Sequence, residues 1–162
     1  MKSKIYKTLL IFLISISGFA QALLPFVENY SKYNYQGDNQ TWNVVQGNDA
    51  AMYFANNHYF LRYDGVKWEK YTLPNKTIIR SVFVDGDRIY TGSYKEFGYW
   101  YRKLGKMFYV SISKSKKDSV FDEGGNEEIW KIFKFNSTIY FQSFNGLFLY
   151  DGSTIKKNKF NF

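Results

Sequence analysis

The 162-residue chain contains no cysteine, which excludes a disulfide framework, thiol catalysis and any zinc site built on thiolates. Its one histidine, His58, is too few for an imidazole metal cluster. Only 2 prolines occur, so extended segments run with little interruption. Neither a Gly-rich phosphate loop nor a G-x-S-x-G nucleophile elbow is present. The longest apolar run, Thr8 to Ala20, has 13 residues, short of the ~20 that a transmembrane helix needs. Rings are what the chain has in excess: 16 Phe, 15 Tyr and 4 Trp make up 22% of it. Bulky flat side chains suit a pleated, half-buried surface, so the expectation is an all-β fold with a core built largely from aromatic groups.

The formal net charge of +8 is scattered rather than clustered. Lys2, Lys4 and Lys7 sit at the start, and most other cations alternate with Asp and Glu; the densest run, Lys114, Lys116 and Lys117, lies in a Ser-bearing loop. Solvated charge explains this distribution, and no nucleic-acid face is expected.

Residues 1 to 22 have a Lys-bearing start, the run TLLIFLISISGFA and the small-residue site Ala20-Gln21-Ala22. That order is a cleavable secretory signal, with cleavage expected after Ala22 and an exported, periplasmic or extracytoplasmic chain from Leu23. No cysteine follows the apolar run to carry a lipid, so membrane attachment is expected only through a further C-terminal region.

Three segments of residues 23–162 repeat one internal order. They open at Trp42 (WNVVQGNDAAMYFANNHYFLRYDGVKWEKYTL), Ile79 (IRSVFVDGDRIYTGSYKEFGYWYRKLGKMFYVSI) and Trp130 (WKIFKFNSTIYFQSFNGLFLYDGSTIKKNKF). In each, an apolar strand leads to a polar turn (Gly47-Asn48-Asp49, Asp85-Gly86-Asp87, Asn136-Ser137) and a second strand (Met52-Tyr53-Phe54, Ile89-Tyr90-Thr91, Ile139-Tyr140-Phe141). Asn, Asp and Gly tolerate the positive φ that tight hairpins require. A third strand ends at Tyr63-Asp64-Gly65 in the first repeat and Tyr150-Asp151-Gly152 in the third, turning into a fourth. Met52 and Ile89 stand 37 positions apart, Ile89 and Ile139 stand 50 apart, and the excess falls in a polar loop, Lys114 to Glu128. Four short strands per 40 to 50 residues is the spacing of β-propeller blades. The expectation is therefore an incomplete propeller of about three blades of four antiparallel strands, at roughly 41–74, 78–113 and 128–162. Propellers close with typically 4 to 8 blades. The chain is thus expected to be the N-terminal piece of a longer protein or to pair with another copy of itself, the first being favoured.

The post-leader segment LPFVENYSKYNYQGDNQTWNVVQ, the MYFANN strand, the YDGVKW corner and the TGSYKEFGYW segment together resemble the N-terminal sensor region of exported bacterial receptors carrying two-component-regulator-type propeller repeats. That resemblance covers most of residues 24 to 101. It implies the opening blades of a ligand-sensing propeller whose relatives continue through more blades, a β-sandwich and a membrane helix into a histidine kinase or a LuxR-like helix-turn-helix output. It also implies a glycan-derived or other small ligand, with the remaining blades as partner.

No catalytic constellation, metal set or cofactor motif is found, and the chain is expected to be a binding module rather than an enzyme. His58 lies in the turn Asn56-Asn57-His58 without a nucleophile pattern around it. Asp122, Glu123, Glu127 and Glu128 flank Gly124-Gly125 at a spacing that matches no established calcium loop, which favours a solvated loop. The candidate ligand contacts are Tyr94, Lys95, Glu96 and Trp100, where rings alternate with hydrogen-bonding groups and suit stacking on a sugar or peptide. The alternative for Trp42, Trp68, Trp100 and Trp130 is that they fill the space between blades. Two further functions stand beside the sensor reading: a self-associating structural or adhesive β-repeat protein, and a hydrolase fragment.

Overall fold

The computed structural model describes residues 25–114, 120–122 and 124–160; the leader lies outside them. A single turn of helix, α1 (Lys32–Tyr35), capped by Ser31 against Asn34, precedes twelve strands. The first sheet holds β1 (Asn43–Gln46), β2 (Met52–Asn56), β3 (Tyr59–Tyr63) and β4 (Trp68–Tyr71). The second holds β5 (Ile79–Asp85), β6 (Arg88–Ser93), β7 (Glu96–Lys103) and β8 (Lys106–Ser111). The third holds β9 (Lys131–Phe135), β10 (Thr138–Gln142), β11 (Gly146–Tyr150) and β12 (Ile155–Lys159). Every sheet is an antiparallel meander in chain order, so the all-β, four-stranded blade architecture expected from the repeats is the one observed.

Turn chemistry sets the meanders. Asn57, Gly86 and Asn136 take the left-handed conformation, with φ of 45°, 59° and 51°, where two strands must reverse within two residues. The Tyr-Asp-Gly corners are built identically in blades one and three. Asp64 Oδ1 accepts the amides of Val66 and Lys67 at 3.0 and 2.9 Å, and Asp151 Oδ1 accepts those of Ser153 and Thr154 at 2.9 and 2.7 Å. The preceding tyrosine hydroxyl closes the loop, Tyr63 on the Gly65 carbonyl and Tyr150 on that of Gly152. Backbone amide donors hold both Asp64 and Asp151 below the usual carboxylate range.

Strands β1 and β2 pack on β5, and β5 and β6 pack on β9, so the opening strands of the three blades lie side by side. A backbone hydrogen bond joins each pair. Ile79 N donates to the Asn57 carbonyl of blade one, and Ile129 N donates to the Ser93 carbonyl of blade two. Gly92 leaves room for the second bond: a Cβ there would stand 2.5 Å from both Ile129 Cγ2 and Ser81 Oγ.

Alternation along the strands fills two aromatic cores. Between blades one and two lie Tyr53, Phe60, Leu73, Ile79, Val82 and Trp100, with Phe60 stacked on the Trp100 indole at 4.8 Å. Between blades two and three lie Tyr90, Phe97, Ile129, Ile139, Phe141 and Phe148, with Phe97 stacked on Phe141 at 4.3 Å. The Lys114-to-Glu128 segment differs from the solvated loop expected of it. Phe121 sits in the second core against Phe97 and Phe148, with Val120 packed beside it, so these two residues of the insertion form a wedge between blades. Its polar composition hid two apolar anchors.

Candidate functional site

Because β1, β5 and β9 are adjacent, their leading residues converge at one end of the blades. Trp42 immediately precedes β1, Arg80 is the second residue of β5, and Trp130 immediately precedes β9. The two tryptophans are set alike by their amides, Trp42 N donating to the Ala55 carbonyl at 2.8 Å and Trp130 N to that of Gln142 at 2.9 Å. The Arg80 guanidinium lies between them, 4.0 Å from the Trp42 ring centre and 4.8 Å from that of Trp130. The two indoles meet nearly edge to face at 6.0 Å. A guanidinium held on two indole faces gains from the ring quadrupoles and is fixed in orientation.

Polar groups complete the cluster. Arg80 Nη2 donates to Glu128 Oε1 at 3.2 Å, while Arg80 Nε, Arg80 Nη1 and Trp130 Nε1 are buried without a hydrogen-bond partner. Trp42 Nε1 donates to Asn57 Oδ1 at 2.7 Å. Phe144, 68% exposed in the β10–β11 turn, packs on Trp130 at 5.3 Å. Tyr94, 38% exposed, bridges Glu128 through the backbone, and so joins the rim of the same face. The surface thus combines exposed rings with a cation fixed beneath them, a set suited to stacking on a flat ligand face.

The four residues singled out from the sequence separate in space. Tyr94 and Lys95 form the β6–β7 turn; Lys95 takes φ 46° and its amide donates to the Glu127 carbonyl at 2.8 Å. Glu96 is only 1% exposed. Its Oε1 accepts the hydroxyls of Tyr109, Ser111 and Ser113 at 2.9, 2.6 and 3.0 Å, and Lys114 Nζ stands 2.9 Å from Oε2. Burial, with the Glu96 carboxylate next to it, drives the Tyr109 hydroxyl well above its ordinary range. Trp100, 3% exposed, lies in the core between blades one and two with its Nε1 on Thr91 Oγ1 at 3.0 Å. Glu96 and Trp100 therefore serve the interior of the blade, and only Tyr94 and Lys95 reach the converging end.

The four tryptophans divide three ways: Trp100 between blades, Trp42 and Trp130 at the converging end, and Trp68 on the face of blade one turned away from blade two, against Tyr30 and Tyr35. Sequence reasoning missed Arg80 as a contact. The available signal was its position, one residue into an opening strand whose two counterparts begin at tryptophans.

The remaining polar candidates are held by hydrogen bonds or ion pairs. His58 Nδ1 lies 2.9 Å from Asp38 Oδ2 at the surface. Asp122 meets Lys157 and Lys159, Glu127 meets Lys157, and Glu128 meets Arg80, while Glu123 lies outside the described residues. Among the described residues no three His, Cys, Asp or Glu side chains come together to hold a metal ion.

No family model and no curated protein matches the chain. Solved structures do. The extracellular domain of BT4673 from B. thetaiotaomicron, described as a hybrid two-component system, superposes with a TM-score of 0.61 at 17% identity over 83% of this chain. A second structure of that extracellular domain, described as a one-component system, superposes with a TM-score of 0.55 at 17% identity over 75% of this chain. The resemblance to propeller receptors read from residues 24 to 101 is thus met again in the fold. The chain shares the blade architecture of these extracellular domains and spans 18% and 16% of their lengths.

Proposed function

We propose that the chain is the opening part of an exported, ligand-sensing propeller, a binding module rather than an enzyme, and that its ligand meets the Trp42–Arg80–Trp130 face. The observation that carries this reading is the convergence of three blade openings on one sandwiched guanidinium flanked by exposed rings. Structural likeness to extracellular domains of signalling proteins supports the compartment and the sensor role. The ligand class that fits is a glycan-derived small molecule, since sugar faces stack on exposed aromatic rings such as Trp42 and Phe144. Intrinsic fluorescence titration with a panel of neutral and uronate-bearing oligosaccharides tests it. Saturable quenching that Trp42→Ala and Phe144→Ala each weaken at least tenfold is expected. Quenching by none of the panel, or quenching that both variants leave unchanged, overturns the reading.

One observation favours self-association instead. Phe133 and Tyr140 stack at 5.0 Å on the face of blade three turned away from blade two, beside Leu147 and Leu149 and outside the inter-blade core. Light scattering of the exported chain separates the two readings: a defined oligomer supports self-association, and a monomer leaves that face to further blades.

A further inference from the structure

At the end of blade two opposite the Tyr94-Lys95 turn, the β7–β8 hairpin overshoots its sheet. Ile89 of β6 pairs with Trp100, and Tyr101, Arg102 and Lys103 pair with β8 alone. In blade one Tyr63 still has partners on both sides, Met52 and Trp68, and in blade three Tyr150 has Ile139 and Ile155. In register Arg88, the first residue of β6, stands opposite Tyr101, so two residues at ~3.3 Å each, Arg102 and Lys103, carry the apex of blade two about 7 Å past the start of β6.

That apex breaks three local rules at once. Leu104 is 94% exposed, the most exposed large apolar side chain among the described residues. It also holds φ 49°, a left-handed conformation that costs a non-glycine residue; Asn or Gly fills it at Asn57, Gly86 and Asn136, while Ala50 and Lys95 share it. Lys103 and Lys106 stand directly opposite each other across the turn, like charges in register, and neither has an ion-pair partner among the described residues. One step behind them Tyr101 and Phe108 stack at 5.6 Å, with Phe108 exposed. Among the described residues no ion pair offsets the two lysines, and local violations of this kind mark positions that serve something outside the fold.

We propose that this apex is a peripheral contact with an anionic lipid bilayer. The order of groups along the hairpin is the order of layers at a bilayer surface. Leu104 enters the acyl boundary, Lys103 and Lys106 extend to lipid phosphates, and the Tyr101–Phe108 pair sits at headgroup level. The free positive charge at the apex fits anionic lipid in particular. No helix among the described residues is long and apolar enough to cross a membrane, so this contact would orient an exported domain rather than anchor it. Membrane contact expected only through a C-terminal region is thereby extended to the propeller itself. The assignment stands apart from the ligand face, which lies at the other end of the blade.

Flotation of the exported chain with vesicles of phosphatidylcholine alone, and of phosphatidylcholine with a quarter phosphatidylglycerol, tests it. The chain is expected to float with the anionic vesicles and not with the neutral ones. Leu104→Asn should lower the partition coefficient about tenfold, and K103E/K106E should lower it at least 25-fold. Both variants should keep the parent's circular dichroism, and Leu104→Asn should raise the melting temperature, since Asn accepts the left-handed turn. A chain without cysteine allows a second readout: an environment-sensitive fluorophore on Lys106→Cys should shift to the blue on anionic vesicles, while one on Asn145→Cys, at the far end of blade three, should not. A parent chain that does not float, or flotation and fluorescence indifferent to Leu104→Asn and K103E/K106E, overturns the assignment and leaves the apex to a protein partner.

Discussion

Phe97→Ala examines how the blades hold together. Phe97 is fully buried, stacked on Phe141 at 4.3 Å and in contact with Phe148 at 5.3 Å and Phe121 at 5.7 Å. It therefore joins β7 of blade two to β10 and β11 of blade three and to the wedge between them. Truncating a buried Phe costs about 3–5 kcal/mol, the loss combining transfer and cavity contributions. With a urea slope of about 2 kcal/mol per M, the unfolding of blade three should move down by about 2 M. Blades in a repeat array are stabilised by nearest neighbours. The Phe60–Trp100 contact between blades one and two is untouched and should melt near the parent midpoint. Tryptophan fluorescence follows both events, because Trp100 reports the first interface and Trp130 the start of blade three. Two separated transitions are the expected result, and Phe144→Ala, at an exposed ring, should change neither by more than about 0.5 kcal/mol. A midpoint shift below about 0.5 M for Phe97→Ala would refute the claim that the stacked rings carry the interface.

Two further perturbations address buried charge. Glu69 is held at about 2, chiefly by Arg102, whose guanidinium grips both its oxygens at 2.7 and 3.1 Å, against an ordinary value of 4.5. The folded value is the depressed one, so this carboxylate stabilises the fold above pH 4.5 and the contribution fades as pH falls from 4.5 toward 2. That difference corresponds to at most about 3 kcal/mol, which solvent around the exposed Arg102 screens to about 1–2 kcal/mol, and urea midpoints at pH 6 and pH 3 should show more than half of it. Arg102→Ala should flatten the acid limb, and an unchanged limb would remove Glu69 as its source. For Glu96, the three hydroxyl donors and Lys114 make alanine the harsher replacement: Glu96→Ala should cost about 3–5 kcal/mol and Glu96→Gln about 1–3, read from thermal melts; a glutamine cost near zero would deny the lysine any part, and equal costs would deny it to the hydroxyls.

The strands were legible because they depend on neighbours in sequence. Period-two alternation and turns of Asn, Asp and Gly are local signals that recur in the same order in all three repeats, and the Tyr-Asp-Gly corner recurs in the first and third. The candidate site was legible only at Tyr94 and Lys95, which occupy a turn. Glu96 and Trp100 follow at once in sequence, yet β7 carries them into the interior, since alternate residues of a strand in a stacked blade face the next blade rather than solvent. The wedge at Val120 and Phe121 was obscured for the opposite reason: two apolar anchors in a polar stretch carry no periodicity.

What the sequence by itself determined is the all-β character, the four-stranded repeat and the hairpin chemistry, because backbone preference and alternation act over a few residues. Only the tertiary structure decided that Trp42, Arg80 and Trp130 meet, and that Leu104 stands clear of its sheet. Trp42 and Trp130 lie 88 positions apart in the chain, and their contact exists because stacking two aromatic cores brings the opening strands side by side. The reach of Leu104 depends on where β6 stops pairing, which is settled between strands and not within one.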